Sequence, residues 1–206
     1  MNRCVIIAGA DINNYENAKK YLKDDDFIIC CDCGLRHLQK LNVKPNLIVG
    51  DFDSHQNPHL PVETIVLPCE KDDTDTGFAV KEALKRGAND FLFLGVIGNR
   101  FDHSFANISI LLMLDTLGKS ALAIDDFSEL QIISSQKAFI SDEFSFFSLL
   151  NVSGTAEGIS IKNAKYPLEN AIIKSEDQYG ISNQVLPNQI AEVSIQKGRL
   201  LLIRVK

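Results

Sequence analysis

The chain has 206 residues, 45% of them hydrophobic and 23% charged, a mixture suited to one large globular domain or two small ones and unlike a disordered or fibrous chain. Lys and Arg number 21 against 27 Asp and Glu, a net charge of −6 with no basic run, which argues against a surface that tracks nucleic-acid phosphates. The longest apolar runs, such as Phe91 to Gly98, fall short of the ~20 residues of a membrane span, and Cys4 to Ala10 fits neither a signal nor a transit peptide, so a cytoplasmic protein without membrane or nucleic-acid partners is expected.

Up to about residue 125, short β-branched runs alternate with stretches of helical period. Cys4 to Ala8, Phe27 to Cys31, Asn46 to Val49, Val62 to Leu67, Asp90 to Val96 and Ser120 to Ile124 read as strands. Asn14 to Lys23, Leu35 to Leu41, Thr74 to Arg86 and His103 to Leu117 read as helices. In the third helix Phe78, Ala79, Ala83 and Leu84 form an apolar stripe, and Gly87 follows as a C-cap. This alternation predicts a three-layer α/β domain, residues 1–125, with a mostly parallel sheet covered on both faces. From residue 126 to 206 the strand-like runs Leu130 to Ile133, Phe144 to Leu150, Ile159 to Ile161, Ala171 to Ile173, Ala191 to Ile195 and Leu200 to Val205 are punctuated by Gly and Pro, which predicts a small all-β sandwich.

The five cysteines, Cys4, Cys30, Cys31, Cys33 and Cys69, all lie in the first third of the chain and read as reduced thiols without a disulfide framework. Cys30-x-x-Cys33-x-x-x-His37 has part of a zinc-ligand spacing, but no second pair completes a four-ligand set.

Asp is uneven along the chain: 14 of 17 lie at or before Asp125, although Asp suits neither strand nor helix interiors. Asp24, Asp25 and Asp26 read as a solvated turn and Asp11 as a loop residue. Gly50-Asp51-Phe52-Asp53-Ser54 follows a strand, and residues two apart in an extended segment point the same way. Two carboxylates there, at the carboxyl edge of a parallel sheet, repel unless a cation lies between them, and Mg²⁺ suits oxygen ligands and substrate phosphates. Glu70, Asp72, Asp73 and Asp75 crowd the start of the third helix, more acid than a dipole complement or an N-cap at Asp73 or Thr74 needs. Gly95 to His103 joins the fifth strand to the fourth helix, where glycines admit a phosphate to backbone N–H groups and Arg100 adds a bidentate donor. Neither a full dinucleotide fingerprint nor a Walker A loop occurs. His103 reads as a helix-surface or pocket-wall residue, and Asp32 ends the second strand on the same edge. Together these residues imply a metal-nucleotide site for phosphoryl or pyrophosphoryl transfer or phosphohydrolysis. A catalytically idle nucleotide-binding module is the rival, disfavoured because anion binding alone calls for Lys and Arg rather than carboxylates.

Cys31-Asp32-Cys33-Gly34, Gly50-Asp51-Phe52-Asp53-Ser54, Lys71-Asp72-Asp73-Thr74-Asp75, Gly98-Asn99-Arg100-Phe101-Asp102-His103 with Asn107, Lys165 to Asn170 and Gly180-Ile181-Ser182-Asn183 form a collinear series. In it the chain resembles the thiamine pyrophosphokinases. The resemblance implies transfer of the pyrophosphoryl group of Mg·ATP to the thiamine hydroxyl, leaving AMP. It implies that Asp51, Asp53 and Asp75 hold Mg²⁺ and phosphates with Asp32 in support, that Thr74, Arg100, Asp102 and Asn107 line the ATP pocket, and that Ser182 and Asn183 face thiamine. It further implies a homodimer with shared sites, the Ser-Asn element of one subunit facing the acids of the other. The chain departs from the family at Cys33-Gly34 and Arg36, where Gly-Gly and Asn are usual, and at Asn99 in the Gly-Gly-Arg turn. It has no Trp, which leaves the aromatic that packs on the substrate open, with Tyr179 a candidate.

Overall fold

Val5, Ile6 and Ile7 are fully buried although successive strand residues face opposite ways, so the strand that carries them is covered on both faces. The computed structural model describes residues 2–52, 60–70 and 72–206. The chain divides into two compact units, Met1–Asp126 and Phe127–Lys206.

In the first unit β1 (Arg3–Ile7), β2 (Phe27–Cys31), β3 (Leu47–Gly50), β4 (Glu63–Val66), β5 (Asp90–Leu94) and β6 (Ser120–Ile124) lie in the order β6-β5-β1-β2-β3-β4. Every neighbouring pair among them is parallel. Val5, Ile7, Ile28, Cys30, Leu92 and Leu94 build the core on one face with Ala18, Leu38 and Leu41; each large side chain so buried contributes roughly 1.5–3 kcal/mol. Ala18 belongs to α1 (Tyr15–Lys19), and Leu38 and Leu41 to α2 (Leu38–Leu41). Helix α3 (Asp75–Lys85) packs on β1, β2 and β3, and against α4 (Phe101–Thr116).

The sheet differs from the sequence reading mainly at its covering elements. Helix α1 ends at Lys19 rather than Lys23. The segment expected as one helix from Leu35 begins as a 3-10 turn over Asp32–His37 and turns α-helical only at Leu38. Asp32 therefore opens a turn rather than ending a strand. The buried face of α3 is Thr76, Gly77, Ala79, Val80 and Ala83, not a stripe containing Phe78 and Leu84. Small residues win because α3 lies close on the sheet. Arg86 is its C-cap, and Gly87 follows with φ +84°, a conformation glycine adopts freely.

The second unit holds β7 (Ser128–Ile133), β8 (Ala138–Ser141), β9 (Phe146–Asn151), β10 (Thr155–Lys162), β11 (Leu168–Lys174), β12 (Gly180–Asn183), β13 (Ile190–Ser194) and β14 (Leu200–Val205). They form two antiparallel layers, β12-β9-β14-β7 and β11-β10-β13-β8. Alternate residues Phe147, Leu149, Leu200 and Leu202 meet Ile140, Ile159, Ile161, Ile173 and Val193 in one core, the alternation of a sandwich. Two strands escape the sequence reading. Strand β8 is a short run with Phe139 exposed, and Gly180 to Asn183, expected as a polar turn, is the edge strand β12 paired to β9. The pairing shifts register between Gly180 and Asn183, and Ser182 has φ +57°. That bulge hides the strand from a period-two reading.

Candidate active site

Strands β2, β3 and β4 extend the sheet to one side of β1, whereas β5 and β6 lie on its other side. The chain consequently leaves β1 toward β2 and β5 toward β6, in opposite directions along the sheet, and the carboxyl edge at such a reversal is where open α/β sheets bind ligands. A cavity of about 550 Å³ opens there. Its lining includes Asp11 after β1, Cys33 and Arg36 after β2, Asp51 after β3, Asp73, Thr74 and Asp75 at the start of α3, and Gly95, Val96, Gly98, Asn99 and Arg100 before α4.

Local chemistry explains each placement. Gly95 has φ +64°, and a Cβ on it would overlap the Ala8 carbonyl oxygen, so only glycine lets the β5 loop run against the β1 loop. At Gly50 an added Cβ would stand 2.6 Å from the Asp32 Cβ, which puts buried Asp32 directly behind the loop of Asp51. The Thr74 hydroxyl accepts the Gly77 N–H at 3.0 Å and caps α3, leaving Asp75 on the positive end of the helix dipole. Lys81 pairs with Asp73 at 2.6 Å. Burial pushes the Cys31 thiol well above its ordinary value, with Cys30 and then Asp75 adding to the shift; Cys31 is a neutral wall of the cavity, not a thiolate.

The turn from Gly95 to Gly98 is held by α4. Asn107, buried, donates its Nδ2 to the Val96 carbonyl at 2.7 Å. The Ser104 hydroxyl accepts the Gly98 N–H at 3.0 Å and lies 3.1 Å from the Arg100 carbonyl. Ser104 was not singled out in the sequence; its signal is its place one turn into a helix that follows a glycine-rich loop. Arg100 grips Asp102 with two bonds, Nε to Oδ1 at 3.0 Å and Nη2 to Oδ2 at 2.7 Å. That grip holds the Asp102 carboxyl down to about 2. Asp102 is exposed and belongs to this pair rather than to the cavity lining.

Not all expected site residues meet here. Asp53, Ser54 and Lys71 lie outside the described residues. Phe52, next to Asp51, has φ +57°, while the shared direction expected of Asp51 and Asp53 lies outside the described residues. A bulky residue in the left-handed region is strained, and such strain gathers at functional loops. Asp11, taken as a plain loop residue, lines the cavity. In the second unit Asn183 is buried and spends its amide on Tyr166, donating to its carbonyl at 2.7 Å and accepting its N–H at 3.0 Å. Asn183 thus positions the chain around Tyr166, whose ring is exposed. Tyr179, also exposed, donates its hydroxyl to the Ile172 carbonyl. Ser182 is exposed, and its N–H donates to the Ser148 hydroxyl at 3.0 Å.

The donor chemistry fits a hard cation. Asp51 and Asp75 offer carboxylate oxygens to one cavity, and Mg²⁺ is commonly held by one or two carboxylates with waters and phosphates completing its shell. Among the described residues no group of three or more His, Cys, Asp and Glu is arranged to hold a metal ion, which is compatible with such a two-carboxylate share.

A buried histidine braces the cavity from behind. The Ala10 carbonyl accepts from His37 Nε2 at 2.9 Å, which assigns the proton to Nε2 and leaves Nδ1 to accept the Tyr15 hydroxyl at 2.7 Å. Burial, and next the Arg36 charge, lower the His37 pKa below its ordinary value of 6.5; Asp11 and Lys40 act on it in opposite senses. A depressed histidine pKa means the unfolded chain binds the proton more readily. His37 therefore contributes its full stability above pH 6.5 and loses it as pH falls from there through its folded value. Melting curves from pH 8 to 5 should show a steeper loss in wild type than in H37Q. Parallel losses would remove His37 as the cause.

Comparison with known proteins agrees over both units. Residues 18–122 match the family described as "Thiamin pyrophosphokinase, catalytic domain", and residues 132–200 match "Thiamin pyrophosphokinase, vitamin B1 binding domain". A curated protein from Bacillus subtilis (strain 168), "Thiamine pyrophosphokinase", is 26% identical over 97% of this chain and 96% of its own. Among solved structures, thiamine pyrophosphokinase from Bacillus subtilis superposes with a TM-score of 0.85 at 24% identity, over 100% of this chain and 99% of that one. The Geobacillus thermodenitrificans protein gives 0.84 at 24%, over 99% and 97%, and the Candida albicans protein 0.76 at 18%, over 100% and 89%. These structural likenesses concern the fold.

Proposed function

The chain belongs to the thiamin pyrophosphokinase family and is an enzyme of the thiamine diphosphokinase class, and on that premise we propose that it transfers the pyrophosphoryl group of Mg·ATP to the hydroxyl of thiamine. The observation that carries this reading is the meeting of Asp51, Asp75, Thr74 and Arg100 around one cavity at the sheet's switch point. The thiamine hydroxyl oxygen forms a bond to the β-phosphorus. The bond from that phosphorus to the α–β bridging oxygen breaks, AMP leaves with that oxygen, and the hydroxyl proton is released.

Asp51, Asp75 and, from its place in the motif, Asp53 would hold Mg²⁺, with Asp32 behind them; when bound, the ion neutralises phosphate charge. Thr74 keeps the α3 N-terminus fixed beside the phosphates. Arg100, released from Asp102, offers a planar pair of donors to the same group. Asn107 and Ser104 hold the Gly95–Gly98 turn in the shape that admits the nucleotide. In the second unit Ser182 offers its hydroxyl to thiamine, while Asn183 positions Tyr166; Tyr166 and Tyr179 are the exposed aromatics available to its rings.

Two copies with shared sites complete the proposal. The exposed ring pair Phe101 and Phe105, 6.2 Å apart at the start of α4, and exposed Tyr179 and Ile181 in the second unit are apolar surface of the kind that partner subunits cover. Cytoplasmic residence accompanies this reading; among the described residues no helix is long and apolar enough to cross a membrane.

Incubation with Mg·ATP and thiamine should yield thiamine diphosphate and AMP in equal amounts. Formation of ADP with thiamine monophosphate would replace pyrophosphoryl transfer by simple phosphoryl transfer.

A further inference from the structure

The described charges around the cavity are unbalanced. Asp11, Asp51, Asp73 and Asp75 line it, against two guanidiniums, Arg36 and Arg100. A polyphosphate entering such a site depends heavily on each cation present. Arg100 stands on the β5–α4 side, at the N-cap of α4. Arg36 stands on the other side of β1, in the 3-10 turn after β2.

Arg36 is presented rather than buried. Its Nη2 donates to the Gly9 carbonyl and, at 2.7 Å, to Asp11 Oδ1. Its side chain is 41% exposed and that of Asp11 62%. An exposed ion pair of this kind is weak and exchanges readily, whereas the carbonyl bond keeps the guanidinium aimed along the cavity wall. The arrangement parallels Arg100, which is likewise held by one exposed carboxylate at the cavity mouth.

Resting on the nucleotide reading above, we infer that Arg36 is a second polyphosphate-binding cation, held ready by Asp11 and exchanging that carboxylate for a phosphate group of the bound nucleotide. Asp11 acts as its latch. A guanidinium on each flank of the switch point then clamps the polyphosphate from two sides, and the acids between them face the metal.

Calorimetric titration of the full-length protein with Mg·ATP tests this with R36A, R36K and D11N. Loss of a charge-assisted bidentate contact should weaken binding by about 10- to 100-fold in R36A, with partial recovery in R36K. D11N should bind Mg·ATP as tightly as wild type or more tightly, since a competing carboxylate is gone. A merely structural Arg36 pins the Gly9–Asp11 turn, and R36A and D11N would then weaken binding alike; that result overturns the inference, as does unchanged affinity in R36A. If wild type itself fails to bind Mg·ATP, the nucleotide reading falls and the inference with it, an outcome distinct from normal wild-type binding with indifferent variants.

Discussion

Turnover should fall at least ~100-fold when Asp51 is replaced by Asn, the scale on which removal of one electrostatic element from a preorganised site is felt. Asn keeps the size of the side chain and removes its charge. Asp51 follows the last residue of β3 and lines the cavity half-exposed, so the core beneath it, built from Leu47, Ile48 and Val49, is untouched. Melting temperature should consequently change little while the rate collapses. The same loss is expected for Asp53→Asn on the strength of its place in the motif. Partial rescue by Mn²⁺, which accepts similar oxygen ligands, would tie the loss to the metal. Near-normal turnover in both variants at saturating Mg²⁺ would remove these carboxylates from the chemistry.

Recovery of activity by mixing two dead variants is the second large effect. The acids lie in the first unit, whereas Ser182 and Asn183 lie in the second. If a two-fold dimer completes each site with elements of both copies, a D53N chain paired with a chain disabled at 182 and 183 carries one intact site and one doubly damaged site. Random re-pairing makes half the dimers mixed, so the mixture should regain up to about a quarter of wild-type activity. The second chain carries S182A and N183A together, N183A also removing the two bonds that hold the Tyr166 backbone. No recovery after verified subunit exchange would refute the shared site and leave the chemistry standing.

Much of this protein is legible from residue order alone, where the physics is local. Strand runs such as Phe27 to Cys31 and Ser120 to Ile124 coincide with the observed strands, because β-branched and apolar runs between turn residues have few alternatives. The crowding of Asp before Asp125 points to the sheet edge where Asp11, Asp51, Asp73 and Asp75 line a cavity, since acids ill suited to strand interiors collect where strands end. The change of texture near Asp126 separated an alternating α/β half from a half made of strands.

What the tertiary structure decided depends on partners distant in sequence. Asp11 reads as an ordinary loop acid until Arg36, 25 residues away, is seen bonded to it at 2.7 Å. Asn183 donates its amide to the Tyr166 carbonyl, 17 residues away, a partner that no local pattern announces. Strand β12 exists because β9 supplies its hydrogen bonds across a register shift, and no period within Gly180 to Asn183 encodes that. At Phe52 the backbone takes a left-handed φ of +57°, which the residue type by itself disfavours. In each case residue type limits what a side chain can do, whereas the choice among hydrogen-bond partners is made only when folding brings distant segments together and burial penalises any polar group left without one.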